Sequence, residues 1–177
     1  GFKGIDLEVP ANVEIIQGDT EGVQIETDDN IATLIETVVE KEQLKIRMAQ
    51  RMTGIKPSTL KITVQARAIE SLAISGAGGF QADKLKSPSL SARISGSGDM
   101  RIGHLDVDTL TLSISGNGDF TAGGRADTVR TSISGSGDVK TANLAAKNVK
   151  LSISGSGDAK FWATDSLTAS IAGSGVV

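Results

Sequence analysis

One hexapeptide, Ile-Ser-Gly-Ser-Gly-Asp, returns along most of the chain at an almost constant interval. Exact or looser copies occupy residues 74–79, 94–99, 114–119, 133–138, 153–158 and 171–176. Their leading Ile residues are 20, 20, 19, 20 and 18 positions apart. A unit of this length cannot bury an apolar face alone, so a fixed period near 20 predicts stacked repeats.

The residues before each hexapeptide alternate between apolar and polar side chains, which predicts strands with one inward face. The predicted inward sets are Leu90/Ala92/Ile94, Leu110/Leu112/Ile114, Val129/Thr131/Ile133, Val149/Leu151/Ile153 and Leu167/Ala169/Ile171. A second alternating strand follows each hexapeptide, with inward pairs Phe80/Ala82, Met100/Ile102, Phe120/Ala122, Val139/Thr141 and Ala159/Phe161. A third apolar position recurs at Leu85, Leu105 and Leu144.

These patterns favour an all-β fold, a parallel β-helix with about 20 residues per coil. Each strand then pairs with its equivalent one coil away, and the leading Ile residues stack into an internal ladder. An antiparallel barrel or sandwich also explains the short strands. It does not explain why the same hexapeptide returns in phase six times.

The chain divides into two parts of one domain. Residues 1–66 carry strand signals without the Gly-rich repeat, and we interpret them as an irregular N-terminal β cap with the first irregular coils. Residues 67–177 form the repeat coils. A cap is expected because the open end of a β-helix exposes unpaired backbone groups.

Three local features are predicted within the N-terminal part. Residues 37–39 and 44–48 form a hairpin with a polar tip at 40–43. Residues 30–35 are compatible with either a short helical turn or a strand, because Asn30 is a good N-cap. Residues 50–57 have no period and are interpreted as an exposed loop.

Composition excludes several classes of function. A net charge of −3 argues against nucleic acid, which requires a clustered basic surface. No apolar run approaches the roughly 20 residues of a membrane-spanning helix. The absence of cysteine removes disulfides and thiolate chemistry, and is compatible with an oxidising or a reducing compartment.

Catalysis is difficult to build from these residues. His104 is the single histidine, and there is no tyrosine. Asp106 and Asp108 resemble the acid pair of a polysaccharide-acting enzyme, but alternate acids on a strand are more typical of a solvated face. We therefore predict no enzymatic activity, no catalytic residue and no cofactor.

The glycines of the hexapeptide predict a tight corner, because glycine permits positive φ. These structural turns contain Gly76, Gly78, Gly96, Gly98, Gly116, Gly118, Gly135, Gly137, Gly155, Gly157, Gly173 and Gly175. The closing aspartate can accept hydrogen bonds from neighbouring amides.

Stacking brings the closing aspartates, Asp99, Asp119, Asp138 and Asp158, into one column. Like charges at coil spacing repel unless amides or a cation neutralise them, which makes this column a candidate calcium site. Calcium-binding repeats use a nine-residue period that this chain lacks, so we favour the amide role and predict no metal.

Two exposed features are candidate ligand contacts. Outward serine pairs at 113/115, 132/134 and 152/154 form a hydroxyl ladder that could meet ice or a glycan. Trp162 is the only tryptophan and a possible surface ligand contact, since sugar sites commonly use aromatic platforms. Its neighbour Phe161 is expected to face the core when Trp162 faces solvent.

The lead-in Phe-Lys-Gly-Ile-Asp-Leu-Glu-Val-Pro at residues 2–10, Val-Glu-Ile-Ile-Gln-Gly at 13–18 and the later Ser-Ile-Ser-Gly-Ser-Gly-Asp repeats resemble the autotransporter adhesin head GIN domain family. The resemblance covers residues 2–177. It implies a right-handed parallel β-helix without known enzymatic activity, exported by a Gram-negative bacterium to the periplasm, outer membrane or cell surface. The signal or anchor is then expected to have been removed from this sequence.

The predicted function is accordingly a non-enzymatic, adhesin-like interaction module of the cell envelope or a secreted one. Its partner would be a cell-surface glycan or protein. The alternative is a structural scaffold that self-associates into homo-oligomers through the β-helix ends. A polysaccharide-acting enzyme is a more distant alternative.

Overall fold

The computed structural model describes residues 1–26, 35–48 and 60–177. All of their regular structure is strand. The strands are β1 (Gly4–Leu7), β2 (Asn12–Gln17), β3 (Gly22–Glu26), β4 (Ile35–Glu40), β5 (Gln43–Met48), β6 (Lys61–Ala66), β7 (Ser71–Gly76), β8 (Gly79–Gly96), β9 (Asp99–Gly116), β10 (Phe120–Gly135), β11 (Val139–Gly155) and β12 (Ala159–Gly173).

Strands β8 to β12 each make one coil of a parallel β-solenoid. Each is 15 to 18 residues long and pairs in parallel with the strand one repeat away. The predicted two or three short strands per coil are thus continuous extended segments, with register shifts in β10–β12 near residues 121–124 and 141–148. The predicted all-β, parallel, stacked architecture is confirmed.

The Ile ladder is present and is longer than predicted. Ile74, Ile94, Ile114, Ile133, Ile153 and Ile171 occupy equivalent positions on successive strands. Leu7 of β1 lies opposite Ile74, and Ile46 of β5 lies opposite Leu7 on its other side. Two N-terminal strands therefore continue the ladder, although their sequence lacks the hexapeptide.

The N-terminal end is built by inserting these early strands between later ones. β1 lies between β7 and β5, and β2 lies between β8 and β6, all in parallel. The antiparallel strands β3 and β4 are outermost, against β6 and β5 respectively. The N-terminal end is therefore antiparallel only in its outermost strands, β3 and β4. One sheet contains the strands on both sides of residue 66. The division of the chain at that residue stays a prediction.

The predicted hairpin is confirmed as β4 and β5. Lys41 and Glu42 form its tip with φ of 51° and 63°, the left-handed conformation that two-residue hairpin turns need. The helical-turn alternative at 30–34 and the loop predicted at 50–57 lie outside the described residues. Ile35 begins β4.

The predicted inward side chains form one aliphatic core. The sets that end at Ile94, Ile114, Ile133 and Ile153 are buried, as are Leu85, Leu105 and Leu144. Among the described residues, Thr131 is a buried polar exception whose hydroxyl has no hydrogen-bond partner. The last set was expected to be inward, but Leu167 is 48% and Ile171 42% exposed because β12 pairs with β11 alone among the described strands.

The described ranges contain no helix of the length and apolar character needed to cross a membrane.

Candidate binding surfaces and the repeated corner

The corner brings the backbones of adjacent coils into direct contact. Ser97 N and Gly98 N both donate hydrogen bonds to Gly76 O, at 3.1 and 3.0 Å. Asn117 and Gly118 repeat this pattern on Gly96. Stacked corners thus satisfy one another's backbone groups, as buried backbone requires.

The two glycines of each corner have different roles. Gly96 has φ of +111°, which side-chain-bearing residues rarely adopt, and five equivalents share a positive φ: Gly76, Gly116, Gly135, Gly155 and Gly173. Gly98 lacks a positive φ, but a Cβ there would overlap Gly78 O and lie 2.6 Å from the Ile74 Cγ2 atom. The expectation of positive φ thus holds for the first glycine, and the second is needed for clearance.

The aspartate column is stabilised by backbone amides. Asp99 Oδ1 accepts a hydrogen bond from Asp119 N at 3.1 Å. Asp119 and Asp138 bind the next amide at 3.0 Å in the same way, and Asp158 accepts from Val176 N at 3.2 Å. Each carboxylate therefore joins its own coil to the following one.

This arrangement agrees with the amide role that we favoured for the column. Within residues 1–26, 35–48 and 60–177, no three His, Cys, Asp or Glu side chains are grouped so that they could hold a metal ion. One oxygen of each carboxylate is already used by an amide. The calcium alternative nevertheless stays an untested prediction.

The acid pair considered for catalysis is held by an arginine. The Nη2 atom of Arg125 lies 2.6 Å from Asp106 Oδ1 and 3.5 Å from Asp108 Oδ1, and its Nη1 atom lies 2.8 Å from Asp127 Oδ1. The hydrogen bond that Arg125 donates to Asp106, and then the charge of Asp106, raise the pKa of Arg125. His104 is exposed and lies opposite Lys84. Asp106 is thus held in a close ion pair with the guanidinium, whereas the side chain of Asp108 is 65% exposed and meets the guanidinium at 3.5 Å.

The outward serines align into columns across the coils. One column contains Ser113, Ser132, Ser152 and Ser170, and the next contains Ser75, Ser95, Ser115, Ser134 and Ser154. Arg93 continues the first column. Parallel strand spacing separates the hydroxyls of one column by about 4.8 Å.

The last coil exposes a group of apolar side chains. Trp162 is 53% exposed, whereas Phe161 is half-buried and packs against the core, as predicted. Leu167, Ile171, Val176 and Val177 are also exposed, the last two by 64% and 46%. We call these exposed apolar side chains of the last coil the end patch (Trp162, Leu167, Ile171, Val176 and Val177).

The structure also contains an open groove that the sequence did not reveal. It has a volume of about 620 Å³ and crosses strands β6, β2, β8 and β9 near their first residues. Its polar lining consists of Asn12, Glu14, Lys61, Gln81, Asp99 and Arg101, around Gly79. Gly79 was visible in the sequence as a break in the aspartate column, but Asn12 and Lys61 come from strands whose register no motif predicts.

Parallel coils, like-on-like ladders and a shared corner define the class of β-solenoid proteins. A family model described as putative auto-transporter adhesin, head GIN domain, matches residues 1–177. The chain belongs to this family, so the resemblance stated above is confirmed. No curated protein matches the chain.

Solved structures share the fold at low sequence identity. A putative adhesin from Bacteroides fragilis has a TM-score of 0.88 at 22% identity, over 99% of this chain and 90% of that one. A putative lipid binding protein from Parabacteroides distasonis has a TM-score of 0.74 at 20% identity, over 99% and 92%. A putative adhesin from Parabacteroides merdae has a TM-score of 0.65 at 18% identity, over 99% and 90%.

Alanine at the corner glycines should separate backbone strain from steric overlap. At Gly76 a Cβ meets nothing within 4 Å, so Gly76→Ala reports the positive φ alone and should cost about 1–3 kcal/mol of unfolding free energy. Gly98→Ala reports the overlap alone, with a similar cost of about 1–3 kcal/mol. Gly96→Ala combines both and should be the least stable in urea denaturation. Gly18→Ala is the control, since Gly18 has an open Cβ position and no positive φ. If Gly96→Ala lowers the unfolding free energy no more than Gly76→Ala does, the two roles are contradicted.

Substitution in the aspartate column should distinguish amide binding from calcium binding. Asp138→Ala leaves the Asp158 amide without its side-chain acceptor and should lower the unfolding free energy by about 1–2 kcal/mol. Asp138→Asn retains an oxygen acceptor and should lose less than half as much. Calcium should leave the melting temperature of the wild type unchanged. A calcium-dependent rise that disappears in Asp138→Asn would instead establish a metal role.

Proposed function

We propose that this chain is an exported, non-enzymatic binding module that recognises a cell-surface glycan or protein. One observation carries the proposal: the acidic groups most suited to chemistry are used in structural bonds, whereas the outward faces carry long, regular columns of side chains. The aspartate column binds amides, and Asp106 and Asp108 bind Arg125.

The regular outward columns suit a partner that is itself extended or repetitive. Equivalent side chains return at each coil, so several weak contacts can form at once, and binding at one coil raises the effective concentration at the next. A solenoid has no need of a deep pocket for this kind of recognition.

The family and the structural neighbours also support an exported location for this chain. The family description names an auto-transporter adhesin, which supports export and display in the periplasm, at the outer membrane or on the cell surface. The putative adhesins among the structural neighbours support the same role through their shared fold. Because one neighbour is called a putative lipid binding protein, lipid vesicles are included in the test below.

The domain should bind without turning its ligand over. Purified protein, multimerised on beads, is expected to retain one or more members of a panel of cell-surface glycans, proteins and lipid vesicles. Incubation with acidic and neutral polysaccharides should release no new reducing ends. Polysaccharide cleavage that is lost in Asp106→Asn and Asp108→Asn would support the enzyme alternative, and failure to retain any member of the panel would overturn the proposal.

Self-association as an envelope scaffold is the second candidate, and the end patch favours it. Exposed apolar groups are common singly, but β12 carries three of them, Trp162, Leu167 and Ile171, and among the described strands it pairs with β11 alone. Its other edge presents backbone groups that another strand could pair with.

Sedimentation at several protein concentrations tests this candidate. The scaffold predicts association that rises with concentration and is abolished by Ile171→Lys, since a charge in an apolar contact is left unpaired. Ile16→Lys is the matched control, because Ile16 lies on β2 and is 45% exposed, against 42% for Ile171. A monomer at all concentrations, or equal effects of both substitutions, would overturn the scaffold.

A further inference from the structure

We propose that the groove around Gly79 is a binding site for a neutral saccharide. This inference rests on the proposed function and assigns the ligand class and the place where it binds. The groove has a volume of about 620 Å³, within the range of about 300–1,000 Å³ common for small-ligand sites.

The groove exists because one member of the corner column lacks a side chain. Strand pairing places Lys61, Asn12, Gly79 and Asp99 in adjacent positions on four neighbouring strands. In the following coils this position is aspartate. At Gly79 the missing side chain leaves a notch between Asn12 and Asp99.

A second column forms the opposite side of the groove. Glu14, Gln81 and Arg101 occupy adjacent positions on β2, β8 and β9. The inward residues Val13 and Phe80 lie between the two columns, with exposures of 1% and 3%. The groove therefore has a rigid floor of core residues and walls of polar side chains.

The charges of the walls favour an uncharged ligand. Glu14 and Asp99 are acidic, Lys61 and Arg101 are basic, and Asn12 and Gln81 are neutral amides, so the six side chains have no net formal charge. A polyanion would be repelled by the two acidic side chains, and a polycation would be repelled by the two basic ones. A neutral polyhydroxyl ligand can use all six, because hydroxyl groups both donate and accept hydrogen bonds.

The geometry also favours a saccharide over a peptide. The strands that cross the groove are each paired on both sides, namely β6 with β2 and β3, β2 with β6 and β8, β8 with β2 and β9, and β9 with β8 and β10. An extended peptide thus finds no free edge here for backbone pairing. Recognition must come from side chains, and planar carboxylate, amide and guanidinium groups can bond two adjacent hydroxyls at once.

Filling the notch tests the site. Gly79→Asp installs the residue found in the following coils, and Gly79 has no positive φ that would strain it. Its Cβ would lie 3.2 Å from Asp99 O and 3.8 Å from Asn12 Oδ1, so small shifts suffice. We expect a melting temperature within a few degrees of the wild type. The affinity for the neutral glycan that the wild type retains best should fall roughly tenfold or more, because the added side chain occupies the place of the ligand's hydroxyl groups.

Matched variants separate the groove from general effects of charge. Asn143→Asp adds the same charge at an exposed position of β11, away from the groove, and should bind like the wild type. Arg101→Gln should weaken binding without unfolding the chain, because Arg101 is exposed. Lys140→Gln removes a cation two coils further along the same column and should leave binding unchanged.

The outcomes distinguish this inference from the proposed function. Glycan binding that is lost in Gly79→Asp and Arg101→Gln but kept in both controls supports the groove. Glycan binding equal in wild type and Gly79→Asp overturns the groove and leaves the binding function standing. A wild type that binds only proteins overturns the saccharide class, and one that binds nothing overturns both.

Discussion

Backbone contact between successive corners is the constraint on which this structure depends. The second glycine of each corner lies against the carbonyl of its predecessor, as Gly118 lies against Gly98 and Gly137 against Gly118. A side chain there would force adjacent coils apart by more than the close strand spacing allows. The chain must therefore return a glycine to the same place in every coil, so the corner glycines recur with the period of the repeat.

The same stacking explains why the acidic residues of the repeat are structural. Once the corners are in register, each closing aspartate lies beside the backbone amide of the closing residue in the next coil. Asp119, for example, accepts a hydrogen bond from Asp138 N. Each amide presents the positive end of its dipole to a carboxylate, which offsets the repulsion between like charges along the column. These bonds leave the outward columns, the exposed end of β12 and the notch at Gly79, which precedes the first aspartate of the column, for the binding roles proposed above.

The regular part of the fold could be predicted well, because its information is local and repeated. Alternation placed Leu110, Leu112 and Ile114 inward, and all three are buried. The early strands could not be placed this way, since nothing in the hexapeptide says that Leu7 lies between Ile74 and Ile46. Their positions depend on long-range parallel pairing across intervening segments. The groove was missed for this reason, because half of its wall comes from β2 and β6.

By itself, the sequence determined the period, the corner, the inward faces and the family, since each repeats within one coil or matches a known pattern. Only the tertiary structure decided which of these groups are covered and which are free. Ile153 and Ile171 are equivalent in sequence, yet Ile153 is 1% exposed and Ile171 is 42% exposed. The difference arises because burial in a solenoid is supplied by the neighbouring coils, and in the part of the chain that the structure describes β12 is paired on one side alone.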